Sequence, residues 1–153
     1  MTYAESVTKM WQTYHEALGV LVPAAIVADS FSDNPQEATE LSVLVDKGVK
    51  RATASALWSF EKTSTEIPAV GGIFIVTDGK GEAVCIVKTT KVSIIPFNEI
   101  SEDNAFTEGE GDKSLKYWRR VHIEFYKRQF APLGLTFEET MPIVFEEFEK
   151  VFP

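Results

Sequence analysis

Cysteine is nearly missing from this chain: Cys85 is the only one among 153 residues. No internal disulfide can form, and a reducing, cytoplasmic setting is expected. Histidine occurs twice, as His15 and His122, each without an HxxxH partner, so a zinc site lacks support and no metal is expected. No run approaches the roughly 20 apolar residues of a membrane helix, and the opening MTYAESVTKMWQTYHEALG lacks the basic start and apolar core of a secretion signal. No membrane partner is expected. Positive charge is also scarce, with 15 Lys and Arg against 23 Asp and Glu and a net charge of -8. That balance argues against long-range attraction to phosphate backbones or anionic membranes, and DNA is not expected as a partner. GxSxG, Walker A and GxGxxG fingerprints are missing, which removes the commonest hydrolase, nucleotide triphosphatase and dinucleotide readings. No cofactor is expected.

The chain does have the means to build a core. Hydrophobic residues make up 44% of it, with 11 Phe and 3 Trp, and its length suits a single domain. Val7, Met10, Trp11, Tyr14, Ala17 and Leu18 recur at helical spacing before Gly19. After Pro23, AAIVADSF reads as a short strand or an irregular approach. A second helix is expected in SDNPQEATELSVLVDKG, capped by Ser32, Asp33 or Asn34, with Pro35 in its first turn and Gly48 as its stop. The period then changes: GIFIVTDGKGEAVCIVKTTKVSIIPF holds two β-rich runs around a hairpin signal at Asp78–Gly81. Cys85, in AVCIV, is expected to be a buried, inert thiol. NEISEDNAFTEGEGDKS reads as an acidic loop, Asp112 or Ser114 as the cap of a helix to about Phe130, and MPIVFEEFEKVF as a final half-buried strand. The mixture without a βα repeat predicts an α+β class around a twisted, partly closed sheet.

The stretch DKGVKRATASALW carries the candidate chemistry. It sets Lys47, Lys50 and Arg51 beside Thr53, Ser55 and Trp58. Lys50 and Thr53 would lie together on a turn but on opposite faces of a regular strand. A hydroxyl becomes a nucleophile once a base takes its proton, and a lysine can be that base if burial or nearby cations such as Lys47 and Arg51 lower its pKa. The alternative is a helix end met by cations and running into a strand. In EGEGD, glycines separate Glu108, Glu110 and Asp112, which lets carboxylates approach a ligand or leaves them solvated. The EF-hand ligand order is missing. Trp58, Tyr117 and Trp118 could stack on a base or belong to the core.

Three segments, DNPQEATELSVLVDKGVKRATASALW, VGGIFIVTDGKGEAVCIVKTTKV and EGEGDKSLKYWRRVHIEFY, together resemble the ASCH domain family in its bacterial stand-alone branch. The likeness runs from about Phe31 to the C-terminus and rests on GxKxxT followed by the EGEGDKSLKYWR block. It implies one ASCH domain over 1–153 with an N-terminal helical extension of about 30 residues. It also implies a PUA-like, partly closed β-barrel flanked by helices, with GxKxxT facing the acidic loop across a cleft. Family members act on RNA or nucleosides: some bind RNA, some are ribonucleases, and small bacterial ones hydrolyse the acyl amide of N4-acetylcytidine. Lysine, threonine and glutamate act together in those hydrolases. Carried over, they become Lys50, Thr53 and Glu110, with Glu108 as the second choice. The expected ligand set is Phe31, Lys47, Arg51, Ser55, Trp58, Lys88, Glu108, Asp112 and Arg119. The expected partner is a nucleoside or single-stranded RNA, and a homodimer is left open.

Overall fold

The computed structural model describes residues 2–153. Its elements are α1 (Glu5–Ala17), β1 (Ala28–Asp29), α2 (Pro35–Asp46), β2 (Ala52–Ala56), α3 (Leu57–Lys62), β3 (Ile73–Thr77), β4 (Ala83–Pro96), α4 (Glu102–Glu108), α5 (Leu115–Phe130) and β5 (Pro142–Phe152). The strands hydrogen-bond in the order β1-β3-β4-β5-β2. This is the expected α+β class, a five-stranded sheet with helices. The order ends at β1 and β2, so the sheet is not closed on itself, and a partly closed barrel is not established by it. The run AAIVADSF contributes only the two residues of β1.

The chain divides into two compact units. One holds the chain up to Gly48, Gly71–Lys88 and Glu149–Pro153; the other holds Val49–Val70 and Thr89–Phe148.

In the first unit, Val7 and Trp11 of α1 join Ile75 and Ile86 in a buried cluster. The indole N–H of Trp11 donates to the Pro23 carbonyl at 3.0 Å, so the N-terminal helix is packed into this unit's core. The β3–β4 hairpin turns where expected, with Asp78 Oδ1 accepting from the Lys80 and Glu82 amides at 2.8 and 3.0 Å. Asn34 caps α2 by accepting from the Glu37 amide at 3.0 Å, Pro35 follows in the first turn, and Gly48 at φ 75° closes the far end. Cys85 is fully buried, and burial first, then the Asp46 carboxylate, push its thiol up to about 12. It is the inert thiol anticipated.

In the second unit, β2 pairs antiparallel with β5 from Ala52↔Glu147 to Ala56↔Ile143. Burial alternates along β2: Ala52, Ala54 and Ala56 are buried, while Thr53 and Ser55 are half-buried. The three alanines enter a core with Phe97, Trp118, Tyr126, Phe130 and Phe145. Their small side chains let the backbone come close enough for the Tyr126 hydroxyl to donate to the Ala54 carbonyl at 2.8 Å. Along α5, Trp118, His122, Tyr126 and Phe130 form the buried stripe at a spacing of four.

One expectation fails here for a legible reason. The acidic stretch read as a loop contains α4. The Ser101 hydroxyl accepts from the Asn104 amide while the Asn104 side chain accepts from the Ser101 amide, a reciprocal cap. Glu102 and Asp103 then occupy the electropositive first turn, and Gly109 at φ 74° closes the helix. The acids that suggested solvated coil are the residues a helix start favours. The single turn-and-a-half of α3 was likewise not anticipated.

Candidate functional site

Four titratable side chains of the second unit converge. Lys50 lies just before β2, Glu108 ends α4, Glu110 follows the Gly109 turn, and His122 sits midway along α5. Lys50 Nζ donates to the Ala52 carbonyl at 2.7 Å, to Glu110 Oε2 at 2.7 Å and to Glu108 Oε2 at 3.4 Å. An ammonium has three N–H groups, and these acceptors use all of them. Glu108 also accepts from the Trp118 indole N–H at 2.8 Å and from His122 Nε2 at 3.1 Å. His122 Nδ1 donates to the Trp118 carbonyl at 2.8 Å. Both imidazole nitrogens therefore face oxygens that accept, which assigns a hydrogen to each and makes the ring an imidazolium.

Electrostatics agree with that assignment. Burial alone would pull the Lys50 ammonium down, but Glu110 and then Glu108 overturn it and hold the group above its ordinary value. Burial opposes the ionised Glu108, yet His122 and Lys50 hold it well below the usual carboxylate range. His122 is raised in turn: burial works against its charge, and Glu108 outweighs it. Glu110 goes the other way, raised to about 7 by burial, with Lys50 opposing and Glu108 adding to the rise. It is also the accessible carboxylate of the cluster, with 12% of its side chain exposed against 1% for Glu108. So Glu110 changes protonation near neutrality beside a permanent ammonium, while Glu108 stays a fixed anion. This surrounding raises the Lys50 ammonium, where the cations named in the sequence would have lowered it. Its neighbours in the cluster are carboxylates, not the cations Lys47 and Arg51.

Glycines explain how these segments meet. A Cβ on Gly109 would lie 2.3 Å from the Val49 carbonyl oxygen, and one on Gly111 would lie 2.4 Å from the Tyr117 ring. The close approach permitted by EGEGD is to the chain's own backbone and ring, which brings Glu108 and Glu110 onto Lys50. Gly109→Ala is therefore expected to cost more than about 2 kcal/mol, from a side chain forced into positive φ and against backbone. It should also lower the Glu110 midpoint towards an ordinary carboxylate, read by carbon-detected NMR titration; an unshifted midpoint would refute this account of the turn.

Glu108, Glu110 and His122 offer ligand atoms within 4.8 Å of one another, a spacing that could hold a metal ion. Lys50 Nζ already stands bonded to both carboxylates. A metal ion here would compete with a built-in cation for the same oxygens.

The other expected residues are dispersed. Thr53 is on the half-buried side of β2, out of step with Ala52 and Ala54, and Ser55 shares its side. Trp58 stacks on Phe130 at 6.3 Å and lines the core. Arg51 is exposed. Asp112, also exposed, accepts from the Ser114 amide at 2.9 Å at the start of α5. Arg119 donates to both Glu139 oxygens at 2.7 and 3.1 Å and lies over Phe97. Phe31, Lys47 and Lys88 belong to the first unit, where Phe31 packs edge-on against Phe74 at 6.2 Å.

Sequence reasoning missed His122 and Trp118 as members of the cluster. Their spacing of four on α5, with Tyr126 four further on, is the available signal.

Fold and site together define an α+β protein in which a GxKxxT lysine is buried against glutamates supplied by a downstream helix end. The chain belongs to the ASCH domain family, whose model matches residues 27–152. It is similar over its whole length to an ASCH domain from Lactobacillus crispatus JV V101, with 31% identity, a TM-score of 0.90 and 98% of that chain covered. It is also similar to protein EF3133 from Enterococcus faecalis V583, with 33% identity, a TM-score of 0.88, and 97% of this chain and 89% of that one covered. Hypothetical protein PH0355 shares the fold at 21% identity and a TM-score of 0.51, over 73% of this chain and 92% of its own. Among curated proteins, none matches this chain. The first likeness covers 100% of the chain, so α1 is part of the shared architecture.

Proposed function

We propose that this protein hydrolyses the acyl amide of an N4-acylated cytidine-like nucleoside. The observation that carries the reading is the Lys50–Glu110 pair. A carboxyl raised to about 7, its side chain 12% exposed, stands 2.7 Å from the buried Lys50 ammonium. Such a carboxyl both gives and takes protons at neutral pH, and the buried positive charge of Lys50 beside it favours an oxyanion forming at an attacked carbonyl. Thr53 is the nucleophile: its oxygen bonds to the acyl carbon, the cytidine N4 leaves with a proton from Glu110, and water then cleaves the acyl-threonine ester. The net charge of -8 favours a neutral nucleoside over a polyanion.

The test is incubation of the protein and its Glu110→Gln variant with a series of N4-acylated cytidines, followed by chromatography. The expected result is cytidine release by the native protein and a loss of about 100-fold to 10,000-fold in the variant. If no compound releases cytidine, the reading fails.

Non-catalytic binding of single-stranded RNA is the second reading, favoured by the exposed cation Arg51 beside β2. Its signature is an affinity that falls steeply with salt. Cleavage of RNA but not of the matching DNA would indicate a ribonuclease instead.

A further inference from the structure

A nucleophilic Thr53 needs a group to take its proton, and the sheet sets a carboxylate beside it. In the β2–β5 ladder Thr53 is the direct partner of Glu146, and directly paired residues of antiparallel strands project to the same face with Cβ atoms about 4.5–5.5 Å apart. Thr89, on β4, donates its hydroxyl to Glu146 Oε2 at 2.6 Å. Three strands thus contribute a hydroxyl, a carboxylate and a second hydroxyl in one row across the sheet. The alternation of β2 sets this row on the side opposite Ala52, Ala54 and Ala56, away from their aromatic core. Glu146 is 8% exposed and Thr89 2%, whereas Thr53 is only half-buried. The base is shielded and the nucleophile is reachable.

We propose that Glu146 is the proton acceptor for Thr53, and that Thr89 holds the Glu146 carboxylate in place. The Thr89 bond uses Oε2, leaving Oε1 to take the Thr53 proton. Burial raises the Glu146 carboxyl, with the Thr89 hydrogen bond working against the rise, which strengthens it as a base. In acyl transfer the Thr53 oxygen bonds to the acyl carbon, the bond from that carbon to the leaving group breaks, the leaving group departs with the electron pair, and the proton passes to Glu146. The assignment deepens the hydrolase reading by supplying the activation of its nucleophile, but it can be tested without a nucleoside.

The probe is 4-nitrophenyl acetate, an activated acyl ester, with peptide mass spectrometry to locate the acetyl group. Acetylation at Thr53 in the native protein, slowed about 100-fold in Glu146→Gln and about 10-fold in Thr89→Val, is the expected result. Glutamine keeps an oxygen to accept the Thr89 bond, and circular dichroism checks the fold of each variant. Thr53 left unmodified in the native protein, or modified as fast in Glu146→Gln, would overturn the proposal. A protein acetylated at Thr53 that releases no cytidine from any acylated nucleoside would keep this assignment and lose the hydrolase reading.

Discussion

Glu108→Ala is expected to remove about 3–5 kcal/mol of folding stability, the loss seen when one member of a buried ion network is deleted. Glu108 is the anion on which Lys50, His122 and the Trp118 indole all converge, at 3.4, 3.1 and 2.8 Å. Without it, two buried cations share Glu110 alone, and an indole N–H loses its acceptor. The desolvation already incurred by Lys50 and His122 then stands without compensation. Glu108→Gln should cost less, since it keeps the size of the side chain and an oxygen for Trp118 while losing the charge. Chemical denaturation monitored by tryptophan fluorescence reads all three proteins. An alanine variant within about 1 kcal/mol of native would mean that the network contributes little beyond filling space.

Stability is also expected to fall as pH rises from about 4.5 to about 7, with Glu110 as the main cause. Its carboxyl moves from an ordinary 4.5 to about 7 on folding. Between those values the native state holds a proton that the unfolded chain has released, so deprotonation favours unfolding. The contribution is fully present below 4.5 and lost as pH climbs through 7, on the order of 3 kcal/mol. His122, also raised, adds a decline that begins above its ordinary 6.5. Glu108, held down, has the opposite sign: its contribution is present above 4.5 and lost in acid. Stability should therefore peak near pH 5. Glu110→Gln should flatten the slope between 4.5 and 7 and leave the acid limb unchanged. Parallel curves for native protein and variant, measured by urea denaturation across the range, would show that Glu110 does not titrate as described. The same carboxyl should set a limb near pH 7 in any hydrolysis the native protein performs.

Elements with a strong local signal were legible without the structure. Asn34-Pro35 and Gly48 bracket α2, Ser114 starts α5, Asp78–Gly81 turns the hairpin, and the β-rich runs at each end of it become β3 and β4. Each is decided within a few residues by caps, fixed dihedrals or hydrophobic period, so neighbours in sequence suffice. The GxKxxT and EGEGD segments were also visible as a pair, and Lys50 meets Glu110 as anticipated. By itself, then, the sequence determined the α+β class, most element positions and the two segments that build the site.

Tertiary structure decided the chemistry of that site. Lys50 and its carboxylates are 58 and 60 residues apart, and no local pattern says whether a buried lysine will face cations that lower its pKa or anions that raise it. Likewise, the acids of α4 read as loop until Ser101 and Asn104 close their cap, and His122 is only a histidine without an HxxxH partner until α5 brings it to Glu108. Thr53 shows the same division most plainly. Its hydroxyl is evident in the sequence, but its neighbour, Glu146, comes from a strand 93 residues later through the register of β2 on β5. Ionisation depends on distance and burial in three dimensions, and those are set only when the chain has folded.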